Sequence, residues 1–517
     1  LSCRGTSYGA GPSAPPFRTV PPFASLITDR VAAVTPRRQP FMVRRNYAYE
    51  LKSAATFPLA AALGEGTFTG VVASKYFQAG PFLVAVITAA PMFGNILALL
   101  WSELAESRPK VRFINQLQIA LVIVTAAVGL TYFIPRGEWT ITSWFGIDVA
   151  AWTFVGLIIA ARVLASGIIT LRSAVWRLNY PRNLRAQIIG RINGVYNIVL
   201  ASMVLAAAFA LDAQPAVYAI LYPVVAVVSL LGVLQFSKIR VRGERQLLRR
   251  ARLIPSGLAG DDCLESGGVR PDYSRTMKIK LAGSPVGRLA KRIRDAFGLL
   301  GEDRMFREYQ WWQFILGSSF MLMFPSLIYV VSTEMTDPVT QYVLAILVMQ
   351  FLPMITSVVF LQIWAPFFDR VDLFTFRIWI NVAAMIAHSL ILTGALLNSL
   401  PIVALGMFAV GVSFGGGQLA WQLGQNAFAT PETVNRYMGL HVMLTGIRGM
   451  FAPFVGAGLY HLLSKFLPSA GFAGDAPGGR WVFLASVLLA TSAFFGYISM
   501  KRRYGDELQR RDSEPVR

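Results

Sequence analysis

The sequence predicts an all-α integral membrane protein of twelve transmembrane helices, arranged as two pseudo-symmetric six-helix bundles. Three observations predict it. Apolar runs of about 20 residues, the length that crosses a bilayer as a helix, recur along a chain of 517 residues that is 55% hydrophobic and only 15% charged. One long polar interval, Ser237 to Glu308, separates two comparable sets of these runs. The two sets also carry the same sequence marks in the same order.

The runs of the first half fall near 53–75, 79–101, 114–135, 150–172, 187–210 and 214–236. Those of the second fall near 309–333, 338–363, 378–399, 401–423, 436–460 and 480–500. The chain is thus read as a leading tail over 1–52, a bundle over 53–236, a basic central loop over 237–308, a second bundle over 309–500 and a closing tail over 501–517. Residues 1–41 are rich in Pro, Ser and Arg with a single acid, Asp29, a bias shared by transit peptides and by sequence read from upstream of a start. Met42-Val43-Arg44-Arg45 reads as an ordinary basic cytoplasmic beginning, so the second reading is preferred, and disorder is expected before Met42 either way.

Charge fixes the expected orientation. Lys and Arg resist translocation, and the central loop is dense with them, from Lys238, Arg240 and Arg242 to Lys291, Arg292 and Arg294. Alternating the loops puts Arg108, Lys110 and Arg112, then Arg172 and Arg177, Arg370 and Arg377, and Lys501, Arg502 and Arg503 on that same side. Glu138, Asp148, Asp212, Glu334 and Asp337 fall on the other. Both termini are therefore expected to be cytoplasmic, with the plasma (inner) membrane as the location. In the central loop Leu289, Ile293 and Phe297 recur at helical spacing among cations, which predicts an amphipathic helix on the inner membrane surface.

The net charge of +21 is spread over tails and loops rather than gathered on one basic domain, so anionic lipid headgroups, not nucleic acid, are the expected partners. Two cysteines, Cys3 and Cys263, and three histidines supply neither a disulfide framework nor a metal cluster. No cofactor, no metal and no enzyme activity are expected.

The repeated marks are specific. Phe57-Pro58 and Phe324-Pro325 lie in the first helix of each half, and Pro91-Met92 and Pro353-Met354 in the second. Each second helix then leaves the membrane at a Trp with an acid five residues on, Trp101 with Glu106 and Trp364 with Asp369. Each fourth helix ends in Trp-x-Leu, at Trp176 and Trp421, before Pro181 or Pro431. Such an internal repeat is the ground plan of many secondary transporters.

With these features the sequence resembles the major facilitator superfamily over residues 42 to 505. The stretch from Ser102 to Lys110 is similar to the family's motif between the second and third helices, keeping Leu104, Ala105 and Lys110, with Glu106 for the family's aspartate and Ser102 and Pro109 for its glycines. Asp369-Arg370 keep the acid and base in the second half, where Ala365 and Asp372 replace glycines. Arg162 with Gly167 resembles the family's fourth-helix motif, one residue too long. No subfamily follows. The resemblance implies a monomeric secondary transporter of a small solute, with first, fourth and tenth helices lining a central cavity and the eleventh at the contact between halves.

Candidate residues follow from the expense of polarity in lipid. Glu65, between Gly64 and Gly66 in the first run, costs about 3 kcal/mol when ionised there, so it faces water or a partner. It is either a carboxylate that takes up and releases protons or a structural group. Arg162 in the fourth run is its expected partner, as an anion-binding group, a modulator of Glu65 or one side of a structural bridge. Gln418, Gln422 and Gln425 share one helical face after Gly415-Gly416-Gly417 and, with Gln313, are substrate-contact candidates or interhelical glue. Asn193, Asn197, Asn381 and His388 are read with the same reserve, His388 first as hydrogen-bonded packing. Glu106, Arg108, Asp369 and Arg370 are candidates for closing one access state, and Arg448, between Gly446 and Gly449, for the interface between halves. The competing functions are a sensor or scaffold that kept the fold without transport, and a polytopic membrane-bound transferase, for which the scattered acids are poor material.

Overall fold

In the computed structural model, residues 40–106, 108–134, 148–244, 294, 297–368, 370–429, 434–467, 469 and 477–513 are described. The central loop between 245 and 293, Asp369, Cys3 and Cys263 lie outside these residues, as does most of the amphipathic helix expected around Leu289 and Ile293.

Every expected run falls on helix. Among the described residues ten helices are long and apolar enough to cross a membrane, and the apolar part of a further one, Pro81–Leu97, is shorter. The first run departs from a single rod. After α1 (Phe41–Ala54), which lies almost wholly before it, the run is built from α2 (Pro58–Leu63) and α3 (Gly66–Tyr76), with Glu65 extended between these two at φ −67° and ψ 132°. Pro58 lacks an N–H and starts α2, and the glycines at 64 and 66 weaken helix on either side of Glu65. The equivalent Pro325 stays inside its helix.

The first half continues with α4 (Pro81–Glu106), α5 (Lys110–Leu130), α6 (Val149–Asn179), α7 (Arg182–Ala213) and α8 (Tyr218–Phe236). The second holds α9 (Arg304–Tyr329, carried on by a π turn to Glu334), α10 (Tyr342–Phe368), α11 (Leu373–Leu396), α12 (Leu400–Leu423), α13 (Val434–Phe466) and α14 (Val482–Ser513). Residues 41–52 and 501–513, read as parts of tails, are helical. In α1, Asn46 accepts from the Arg240 N–H and donates to the Arg240 carbonyl, and Trp176 Nε1 donates to the buried Glu50.

Helix pairings repeat in order. α4 packs on α6, α5 on α6 and α8, and α2 on α7 and α8; correspondingly α10 packs on α12, α11 on α12 and α14, and α9 on α13 and α14. Trp101 lies against Gly167 and Trp364 against Gly416, so in each half a tryptophan of the second helix fills the space that a glycine leaves on the fourth. The halves meet where α13 crosses α4, with Gly446 against Ile96 and Gly449 against Met92, and where α10 meets α7. Large apolar side chains on the outer faces, such as Ile169, Ile198, Val227 and Phe495, are exposed, as a surface facing lipid requires.

Candidate functional site

Charge inside the first half is gathered at the break in its first helix. Glu65 Oε2 lies 2.9 Å from Arg162 Nη2, with side-chain exposures of 37% for Glu65 and 15% for Arg162, so the pair borders open space. The Nη2–H direction is not aligned into a hydrogen bond, and Arg162 Nε has no partner among the described residues. Gly94 fixes the height of Arg162, because the absence of a side chain there lets α4 approach Ser166 and the Arg162 carbonyl. Tyr196 on α7 is close enough to feel both charges, and Asn193 and Asn197 are exposed on the same helix.

The second half encloses a cavity of about 330 Å3. Gln313, Gln418 and Gln422 line it together with Arg377, Trp421 and Phe320. Arg377 is buried: its Nε and Nη2 donate to Tyr309 Oη at 3.0 and 2.6 Å, and Nη2 donates also to the Ala420 carbonyl at 3.1 Å. The sequence reading had assigned Arg377 to the loop cations. Its place within α11 among Phe374, Phe376 and Ile380 corrects this, since an apolar run on both sides carries the residue into the bundle.

Arg448 leaves the interface helix α13 and turns into its own half, where Nη1 donates to the Gln313 carbonyl at 2.7 Å. Gly317 makes that possible, because a Cβ there would overlap the guanidinium. The Gln313 amide oxygen accepts from Tyr497 Oη at 3.3 Å. Gln425 is not on the glutamine face: α12 ends at Leu423, and Gln425 is buried in the following turn, donating to the Trp421 carbonyl. Asn381 donates to the Arg377 carbonyl, and His388 sits 2.6 Å from the Ala384 carbonyl with its ring against Phe320, which is packing.

At the end of the bundle away from α1 and the end of α14, hydrogen bonds clamp the halves together. The Lys75 ammonium donates to the carbonyls of Ser332, Asp337 and Thr340 and to Thr336 Oγ1, which closes the C-terminal end of α9 with a cation. The Asp212 carboxylate at the end of α7 accepts from the N–H groups of Tyr342 and Val343, the start of α10. Neither residue was singled out in the sequence; Lys75, a cation at the far edge of the first run, was the available signal. At the opposite end Arg108 lies over the Phe113 ring of its own half and Arg370 is exposed. The Glu106 side chain and Asp369 lie outside the described residues. A larger cavity, of about 550 Å3, lies beside α9 and α14. It is lined by Arg307, Arg503 and the exposed Trp311, at the polar end of these helices and away from the glutamine face.

Fold and cavity together define a multi-pass integral membrane protein with the fold of the major facilitator transporters. The solved structures it resembles share that fold along nearly their whole length. The nucleoside transporter NupG matches with a TM-score of 0.58 and 12% identity over 88% of this chain and 99% of that one. A D-xylose-proton symporter matches at 0.56 and 11% over 87% and 97%. A bacterial homolog of the human lysosomal transporter Spinster, inward-facing and occupied, matches at 0.54 and 12% over 88% and 97%. No protein-family model and no curated protein sequence matches the chain.

Proposed function

We propose that this protein is a secondary transporter that carries a small solute across the bilayer by alternating access, acting as a monomer with both termini in the cytoplasm of a plasma membrane. The observation that carries the reading is a cavity whose largely apolar wall carries Gln313, Arg377, Gln418 and Gln422, in a bundle whose halves are clamped by Lys75 and Asp212 at one end. With the central loop cytoplasmic, the clamped end is the outer one. The basic central loop rests on anionic headgroups. A cavity of about 330 Å3 also speaks against a sensor that lost its binding space.

Proton coupling is assigned to Glu65. Its carboxylate is ion-paired with Arg162 at a helix break yet 37% exposed, so a proton reaches it and its release or capture alters that pairing. Similarity to a proton symporter supports this step. Uptake by the purified full chain in proteoliposomes, with a panel of solutes and an imposed pH gradient, tests the reading. The wild type accumulates a solute against its gradient; Glu65→Gln retains exchange and loses pH-driven accumulation. Undiminished accumulation by Glu65→Gln removes Glu65 from the mechanism, and absence of flux for every solute removes transport.

A further inference from the structure

The wall of the second-half cavity carries one buried guanidinium group, Arg377, and no carboxylate, and a second buried guanidinium, Arg448, sits against the wall residues Gln313 and Gly317. Arg377 is 1% exposed and Arg448 is 5% exposed. Among the described residues neither has an ion-pair partner. Arg377 is bonded only to a phenol and a carbonyl, and Arg448 only to the Gln313 carbonyl, with its Nε unpartnered. Both cations adjoin one cavity, Arg377 in its wall and Arg448 behind the wall residues Gln313 and Gly317. A buried cation without a counter-charge is expensive, and two side by side in a medium of low dielectric are more so. Such an arrangement persists where something else supplies the negative charge.

Its placement says what that is. Arg377 lines the cavity directly, and the two residues that seat Arg448, Gln313 and Gly317, line it as well. The first half offers a contrast, since Arg162 already has Glu65 beside it. We infer that the transported solute is a small organic anion, whose carboxylate or phosphate enters between Arg377 and Arg448. Guanidinium groups suit either anion, because their planar N–H fork matches the paired oxygens. Phe320, Phe414 and Trp421 provide an apolar wall for the body of the solute, and Gln418 and Gln422 provide donors and acceptors for its hydroxyl or amide groups.

The inference rests on the transport reading, and its test separates the two. Thermal unfolding of the purified full chain is followed with anions and uncharged counterparts: 3-phenylpropionate against 3-phenylpropionamide, and glucuronate and glucose 6-phosphate against glucose. At least one anion is expected to raise the midpoint by about 2 °C or more while its counterpart does not, and comparison of glucuronate with glucose 6-phosphate tells carboxylate from phosphate. Gln313→Glu, which builds a carboxylate beside Arg448, is expected to raise the midpoint without ligand and to abolish the response to anions. Gln418→Glu on the opposite wall is the second variant, with the same loss of response. A counterpart that stabilises as well as its anion, an anion response that survives both variants, or no response to any of the panel overturns the inference. Proteoliposome uptake of a neutral solute alone overturns it while transport stands; anion binding without uptake leaves the anion site and overturns transport.

Discussion

The two halves share a pattern of helix pairing but differ in how they hold the cations deep in their bundles. In the first half charges are answered by protein: Glu65 by Arg162, Glu50 by Arg172 at 3.9 Å and by Trp176, and Lys75 and Asp212 by backbone groups of the second half. In the second half Glu334 answers Arg480 at 2.8 Å, but among the described residues Arg377 and Arg448 are held only by neutral oxygens beside a cavity. Of these arrangements the first sets a carboxylate beside the guanidinium and the second does not. One pattern of helix pairing thus holds an internal ion pair in one half and two guanidinium groups beside a cavity in the other.

The contrast can be broken most forcefully at Lys75, the first-half charge whose partners lie across the interface. Lys75→Met removes four hydrogen bonds from a buried ammonium. Hydrogen bonds to charged groups contribute about 1.5–3 kcal/mol each in the net. A loss of about 3 kcal/mol in the clamped state alone shifts the ratio of closed to open forms at this end by about 100-fold. Cysteine labelling of positions near Gln341, in a background without Cys3 and Cys263, reads the shift as faster modification.

Removing the acid from the first half makes it resemble the second. Glu65→Gln leaves Arg162 with a neutral partner, and because Glu65 is 37% exposed the expected loss of stability is only about 1 kcal/mol, read as a fall in thermal midpoint. Removing a cation from the second half acts in the other direction. Arg448→Met replaces an unpaired buried charge by an apolar chain, and stability is expected to stay within about 1 kcal/mol of the wild type or to rise. A large fall would show that the guanidinium is compensated in the resting protein.

Glu50, outside the spanning segments, sharpens the comparison through pH. Burial pushes its carboxyl above the usual range, although Arg172 and the Trp176 N–H pull the other way. A raised carboxyl favours the folded state fully at pH below its unfolded value, and that contribution fades as pH climbs through the folded value. Denaturation curves of the wild type should therefore lose stability over this interval while Glu50→Gln stays flatter. The smallest effect belongs to the paired tryptophans. Trp364→Phe removes a hydrogen bond to the Val412 carbonyl and should cost about 1 kcal/mol. Trp101→Phe should cost less, since the Trp101 Nε1–H has no acceptor among the described residues.

Much of this was legible in the chain. The apolar runs, the duplicated Phe-Pro, Pro-Met and Trp marks, and the pairing of a lone intramembrane acid with a lone intramembrane base all follow from local composition and the expense of charge in lipid. Gly64 and Gly66 beside Glu65 also announced a weak point, though not that the chain would run extended there. Arg377 was misplaced because a cation near a span end reads equally as a loop charge; its depth depends on where α11 begins, at Leu373.

By itself, then, the sequence determined which segments form long apolar helices, that these make two related sets, and that Glu65 and Arg162 are candidates to meet. These depend on the length and polarity of contiguous residues, which a chain carries with it. Tertiary structure alone decided that Lys75 and Asp212 bind backbone groups of the opposite half, and that Gly317 leaves room for Arg448 beside a glutamine-lined cavity. Backbone acceptors have no signature in a sequence, and the space left by a glycine acquires meaning only when another helix is brought against it.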